Sequence, residues 1–239
     1  ERDWVPDDSF WSVFRLAIQN TLHRQNESAL IALFQQTGLN TSDDQAINRG
    51  LSRAITQGRA MVWDKSRFNN LGSDTLPYGW NTVLRGGEFG TDYLTRAAQA
   101  PGNTYIHLPE DCLYYYQEVD SQGMELNGKN RYSIHFSREN LPPHSPKAFW
   151  SLTVYDDSTF LFENPFDRYN VGSATSPPVA YNEDGSLDIL LQSDKPAEYE
   201  SNWIPIVEDE PFQLYLRVYM PDQSALDGSY YPPPVEKIE

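Results

Sequence analysis

Two arginines in this 239-residue chain stand among side chains that could do chemistry with them. Arg168 lies beside Tyr169 and four residues after Asn164, where a guanidinium could clamp a phosphate or carboxylate through forked, charge-assisted bonds. The competing assignment ties Arg168 to Asp167 or to loop carbonyls. Arg217 lies between Tyr215 and Tyr219 at the two-residue spacing of one strand face. Tyrosine walls there could stack on a sugar or ring while the guanidinium binds an anion. The same residues could instead satisfy one another under a layer of N-terminal helices. Asp156 and Asp157 have the oxygen donors for a hard metal ion or an acid–base pair, but adjacent carboxylates at a strand end more simply bind turn amides.

Other chemistry is excluded or thinly signalled. His135 could act as a base at neutral pH, although a lone strand histidine is more often structural. His23, His107, His135 and His144 have no metal-ligand spacing. No GxSxG elbow, HExxH helix or P-loop occurs. Gly86-Gly87-x-x-Gly90 has the look of an anion cradle but lacks a preceding parallel strand, which leaves a plain turn. Cys112 is the only cysteine, so neither an intrachain disulfide nor a thiolate cluster can form. No metal and no cofactor is expected. Asn26-Glu27-Ser28 and Asn40-Thr41-Ser42 fit the glycosylation acceptor pattern, which matters only in a eukaryotic secretory setting.

The charge of −16, from 34 acidic and 18 basic side chains, repels nucleic acid and anionic membranes. No run approaches the length of a membrane span. The chain opens at Glu1 rather than methionine, which suggests a processed or truncated product.

The elements that must position these side chains fall into two regimes. Residues 1–102 read as mainly helical: Phe10, Phe14, Ala17 and Ile18 follow Ser9 as N-cap, and Leu30, Leu33 and Phe34 repeat the spacing. Ser42 and Gln45 suggest a capping box for a third helix with Ile47, Leu51, Ala54 and Ile55 on one face, ending near Gly58. Loop follows from Asp64 to Gly90, then a short helix capped by Thr91 and ended by Pro101-Gly102. No internal repeat is present.

Residues 103–239 read as strands. Trp150, Leu152 and Val154 alternate with Phe149, Ser151, Thr153 and Tyr155, and Asp156-Asp157 suggests a hairpin turn into a second strand over 159–162. Strands are also predicted over 113–119, with Asn127-Gly128 as a hairpin signal. Tyr132, Ile134 and Phe136 mark another, as do Leu187, Ile189 and Leu191, and Phe212, Leu214, Leu216 and Val218. Trp150 and Trp203 read as core or loop anchors. Pro232-Pro233-Pro234 favours an extended strap. The fold class is therefore α+β, a mainly antiparallel β-sandwich with an N-terminal helical region.

RYSIHF (131–136), KAFWSLTVYD, ENPFDRYNVG, NEDGSLDILLQSDKP, SNWIP, FQLYLRVYMP and ALDGSYYPPPVEK, in this order, resemble the bacterial domain of unknown function 1214. The resemblance covers about residues 85–239. That domain usually follows a partner, domain of unknown function 1254. The likeness implies a jelly-roll-like sandwich in a periplasmic or secreted protein, with a homo-oligomer or a preceding partner domain. Here Ile206-Val207 follow Pro205 where the family tends to have Ala-Pro, and Tyr230 stands where it tends to have tryptophan. The family supplies no catalytic residues to carry over. The expected function is a binding or assembly module recognising a small molecule or glycan. The alternative is a hydrolase for a small anionic or carbohydrate substrate, using Arg168 or Arg217 with His135 or an acid.

Overall fold

The computed structural model describes residues 9–38, 44–66, 74–102, 105–198 and 200–238. The chain divides into two compact units, Glu1–Asp64 and Lys65–Glu239. The change from helical to strand periodicity lies further along, near residue 103.

The first unit contains α1 (Phe10–Asn20), α2 (Ser28–Gln36) and most of α3 (Gln45–Ser66). Phe14 stacks on Phe10 and meets Phe34 edge-on at 5.4 Å, and Trp11 Nε1 donates to the Leu51 carbonyl at 3.0 Å. Ser9 holds the position before α1, but its backbone is already helical and its hydroxyl makes no capping bond. Ser42 and the Asn40 acceptor lie outside the described residues. Gly58 does not end α3, which continues for two further turns. One glycine costs a helix about 1 kcal/mol, too little to stop a run continuing with Arg59, Ala60 and Met61.

The second unit is a β-sandwich. One sheet has six strands in the order β1-β2-β3-β9-β5-β6, and the other has four in the order β10-β4-β7-β8. The six are β1 (Asp74–Thr75), β2 (Asn81–Thr82), β3 (Cys112–Gln117), β5 (Trp150–Asp156), β6 (Asn170–Gly172) and β9 (Phe212–Tyr219). The four are β4 (Arg131–Phe136), β7 (Leu187–Gln192), β8 (Trp203–Pro205) and β10 (Val235–Ile238). All pairings are antiparallel except β7 with β8. The alternating residues meet as the two-residue period requires. Leu113 and Tyr115, Leu152 and Val154, and Leu214, Leu216 and Val218 face Tyr132, Ile134 and Phe136 and Leu187, Ile189 and Leu191 in one core. Trp80, Trp150 and Trp203 are fully buried anchors.

Several expectations are corrected. β5 pairs with β9 on one side and with β6 on the other, and not with 159–162. Asp156 accepts the amides of Ser158 and Phe160, and Thr159 takes a positive φ of 66°, so the chain turns out of the sheet. Phe160 and Leu161 are left exposed, and the chain returns only at Asn170. Asn127-Gly128 does not join two paired strands, because β3 and β4 belong to different sheets. Asn127 bridges Pro211, and the Gly128 amide donates to Glu210. The stretch 64–90 holds β1, β2 and a 3₁₀ turn (Pro77–Gly79), with residues 67–73 outside the described set. The fourth helix, α4 (Tyr93–Gly102), is capped by Asp92 rather than Thr91: the Thr95 amide donates to its carboxylate at 3.0 Å, which holds that carboxyl below the ordinary range. The proline tail does strap across the unit, then closes the second sheet as β10.

Candidate functional site

The six-stranded sheet has a second face, opposite the core, on which the predicted tyrosines and Arg217 come together. In register, Arg217 lies between Tyr114 on β3 and Ser151 on β5, and Tyr215 lies between Tyr116 and Thr153. Arg217 donates to the Tyr155 hydroxyl at 3.0 Å and to Thr153 Oγ1 at 3.2 Å. Its guanidinium carbon is 5.3–5.8 Å from the ring centres of Tyr215, Tyr155 and Tyr114, within reach of each quadrupole. Tyr215 meets Tyr116 and Tyr155 edge-on, each at 4.8 Å, and Tyr114 lies parallel to Tyr116. Tyr219 stacks on Phe149 at 4.3 Å, and His107 meets Tyr219 edge-on while bonding the Tyr114 hydroxyl.

The electrostatics of this face are unusual. Among the described residues no carboxylate lies within ion-pair distance of Arg217, although the chain is strongly acidic. A guanidinium carries five N–H donors, and the two bonds to Tyr155 and Thr153 leave the others for an acceptor. Burial raises the phenols of Tyr114, Tyr215 and Tyr219, so they stay neutral donors at physiological pH. Cys112 shares the face and is 1% exposed. Burial pushes its thiol up to about 11. A buried neutral thiol is a poor nucleophile, and Cys112 belongs to the packing of this face rather than to covalent chemistry.

These raised values carry a stability consequence. Cys112 ionises at its ordinary value of 9.0 in the unfolded chain but only at about 11 in the fold. Its contribution is complete below pH 9 and is lost as pH rises through 11. The tyrosines add losses of the same sign at higher pH. Thermal unfolding followed between pH 8 and 11 is expected to show a midpoint that falls above pH 9. Cys112→Ala should remove about 2 kcal/mol of that pH dependence; a midpoint flat to pH 11 would contradict the burial of these groups.

The other predicted residues lie elsewhere. His135 is on the outer face of the four-stranded sheet, opposite Asp188 across β4 and β7, and its Nδ1 is 2.7 Å from that carboxylate. Arg168, Asn164 and Tyr169 share the loop before β6. Asn164 organises that loop: its Oδ1 accepts the amides of Phe166 and Arg168, and its Nδ2 donates to the Arg168 carbonyl. Arg168 donates to the Ser201 carbonyl at 2.6 Å, and Phe166 packs edge-on against Trp203. A hydrogen bond with Asp167 raises the Tyr169 phenol. The loop is thus tied to the 3₁₀ turn Glu200–Asn202 that leads into β8. Gly86 and Gly87 make room for Ile106 and the His107 carbonyl, so they serve packing. Among the described residues no group of three or more His, Cys, Asp or Glu could hold a metal, and no helix is long and apolar enough to cross a membrane.

The sequence reading missed Tyr114, Tyr116, Thr153, Tyr155 and Phe149 as companions of Arg217. The alternation Cys112-x-Tyr114-x-Tyr116 was a usable signal, and so was Phe149-x-Ser151-x-Thr153-x-Tyr155. Nothing in the sequence pointed to His107, which reaches the face from a loop.

Comparison with known proteins places the fold. Residues 111–223 match the family model described as a protein of unknown function (DUF1214). No curated protein matches the sequence. Among solved structures, the VPA0106 protein from Vibrio parahaemolyticus is similar at a TM-score of 0.61 and 20% identity, over 89% of this chain and 51% of that one. An uncharacterised protein from Burkholderia cenocepacia matches at a TM-score of 0.37 and 16% identity, over 90% of this chain and 50% of that one. The chain spans about half the length of these structures.

Proposed function

We propose, from the premise that residues 111–223 belong to the DUF1214 family, that this chain is a binding module for a small anionic molecule. The ligand's carboxylate or phosphate sits on Arg217, with its ring or sugar against the partly exposed Tyr114, Tyr155 and Tyr219, since Tyr116 and Tyr215 are buried. The observation that carries this reading is a partly buried guanidinium inside a ring of tyrosines, with no carboxylate in ion-pair range among the described residues. A purely structural arginine at such a place would ordinarily neutralise its charge with Asp or Glu, which this chain has in excess. The hydrolase alternative names His135 as its base, and His135 sits on the other sheet; His107, which does reach this face, has its Nδ1 engaged with the Tyr114 hydroxyl. Binding is therefore the better supported of the two.

A thermal-shift panel of acetate, benzoate, glucuronate, glucose 6-phosphate and inorganic phosphate at matched ionic strength tests the proposal. A ligand at about a hundred times its Kd stabilises the fold by about 2.7 kcal/mol, or roughly 5–10 °C for a domain of this size. At least one anion should produce a shift of that order in the wild type and none in Arg217→Met. The proposal fails if no anion shifts the midpoint, or if the shift survives in Arg217→Met.

A further inference from the structure

Beyond Arg217 the same face ends in an aromatic pair that anion binding alone leaves unused. Phe149 is 39% exposed and stacks on Tyr219 at 4.3 Å. An exposed phenylalanine beside a buried sheet face offers an apolar platform rather than a polar one. Tyr219 follows Arg217 by two residues in β9, a step of about 7 Å along a strand. The guanidinium leans the other way, toward Tyr215 and Tyr155. Cation and platform are therefore separated by roughly 7–10 Å. The β5 residue in register with Arg217 is Ser151, and its β6 neighbour is Gly172, so neither strand raises a bulky side chain between them.

This spacing restricts the ligand. A compact ion such as phosphate reaches Arg217 without touching Phe149. A uronate carries its carboxylate one bond from the sugar ring, too short to span the roughly 7–10 Å from Arg217 to the platform. The charge of −16 also disfavours a dianion more than a monoanion. We infer that the site takes an amphipathic monocarboxylate, with the carboxylate on Arg217 joined through several methylenes to a flat apolar group on Phe149 and Tyr219. This inference rests on the reading that the Arg217 face binds an anion, and it names the class of that anion.

Calorimetric titration of the whole chain with acetate, phenylacetate, 4-phenylbutyrate, 6-phenylhexanoate and inorganic phosphate tests it. Affinity should rise about fourfold per added methylene until the ring reaches the platform, so that the best member of the series binds at least about tenfold more tightly than phenylacetate. Phe149→Ala should shrink that gap to below about threefold, and Phe149→Leu should restore part of it. A series that shows no dependence on length, while acetate or phosphate still binds through Arg217, overturns the inference and leaves the binding reading intact. A length dependence that survives Phe149→Ala, or appears equally in Arg217→Met, overturns it as well. No binding by any compound overturns both.

Discussion

Gly128→Ala is expected to destabilise the sandwich by about 3 kcal/mol or more, enough to leave much of the protein insoluble at 37 °C. A Cβ at this position would stand 1.8 Å from the Val207 carbonyl oxygen and 2.7 Å from its carbon. Neither segment can yield easily. Asn127 is bridged to Pro211, the Gly128 amide donates to the Glu210 carbonyl, and the Asn127 carbonyl accepts from both the Tyr132 hydroxyl and the Asn130 amide. Gly128 does not have a positive φ, so the cost comes from close approach rather than from backbone strain. Gly58→Ala is the control, since a Cβ there meets nothing within 4 Å and a helix gains from alanine. Urea denaturation of both variants should move the midpoints in opposite directions; a Gly128→Ala protein as stable as the wild type would show that this connection is not packed as described.

Trp80→Ala should cost about 3–5 kcal/mol, the range for truncating a buried tryptophan. Trp80 is 0% exposed and packs in the sandwich core. Its Nε1 also donates to the Pro233 carbonyl at 2.8 Å. The substitution therefore opens a cavity and strips an acceptor from the strap that leads into β10. Loss should be largest at that strap. Hydrogen exchange is expected to quicken at the β10 amides paired with β4 before the β3–β9 amides respond. Trp80→Phe, which keeps much of the ring and loses the bond, should fall between. Uniform exchange rates in all three proteins would detach Trp80 from the C-terminal segment.

Much of the sandwich was legible because alternation along a strand reflects a core on one side only. Leu214, Leu216 and Val218 could be assigned inward without knowing their partners, and the same holds for Ile134, Phe136, Ile189 and Leu191. What the pattern cannot carry is which strand lies beside which. Asp156-Asp157 looked like a hairpin turn because it follows a good strand, yet the partner lies fourteen residues on, at Asn170. β1, β2 and β10 are two to four residues long and present no period to read. The same limit applies to the candidate site. Arg217 and its flanking tyrosines share one strand and were found together, whereas Tyr114 and Tyr155 join them only through cross-strand register. Arg168 drew attention for its polar neighbours, but those neighbours are polar because a tight loop needs Asn164 to bind its amides.

The strand order also constrains how the polypeptide can be made. β9 is the middle strand that joins β3 to β5, and it leaves the ribosome about a hundred residues after β3. Until Phe212 to Tyr219 emerge, the nascent chain holds one sheet in two parts, β1-β2-β3 and β5-β6, with the place between them unfilled and their leucines facing water. Vectorial synthesis thus cannot assemble this sheet from one end. The growing chain must be kept from pairing with other molecules until its late strand arrives, so its yield in a cell should depend on chaperone capacity more steeply than its equilibrium stability would suggest.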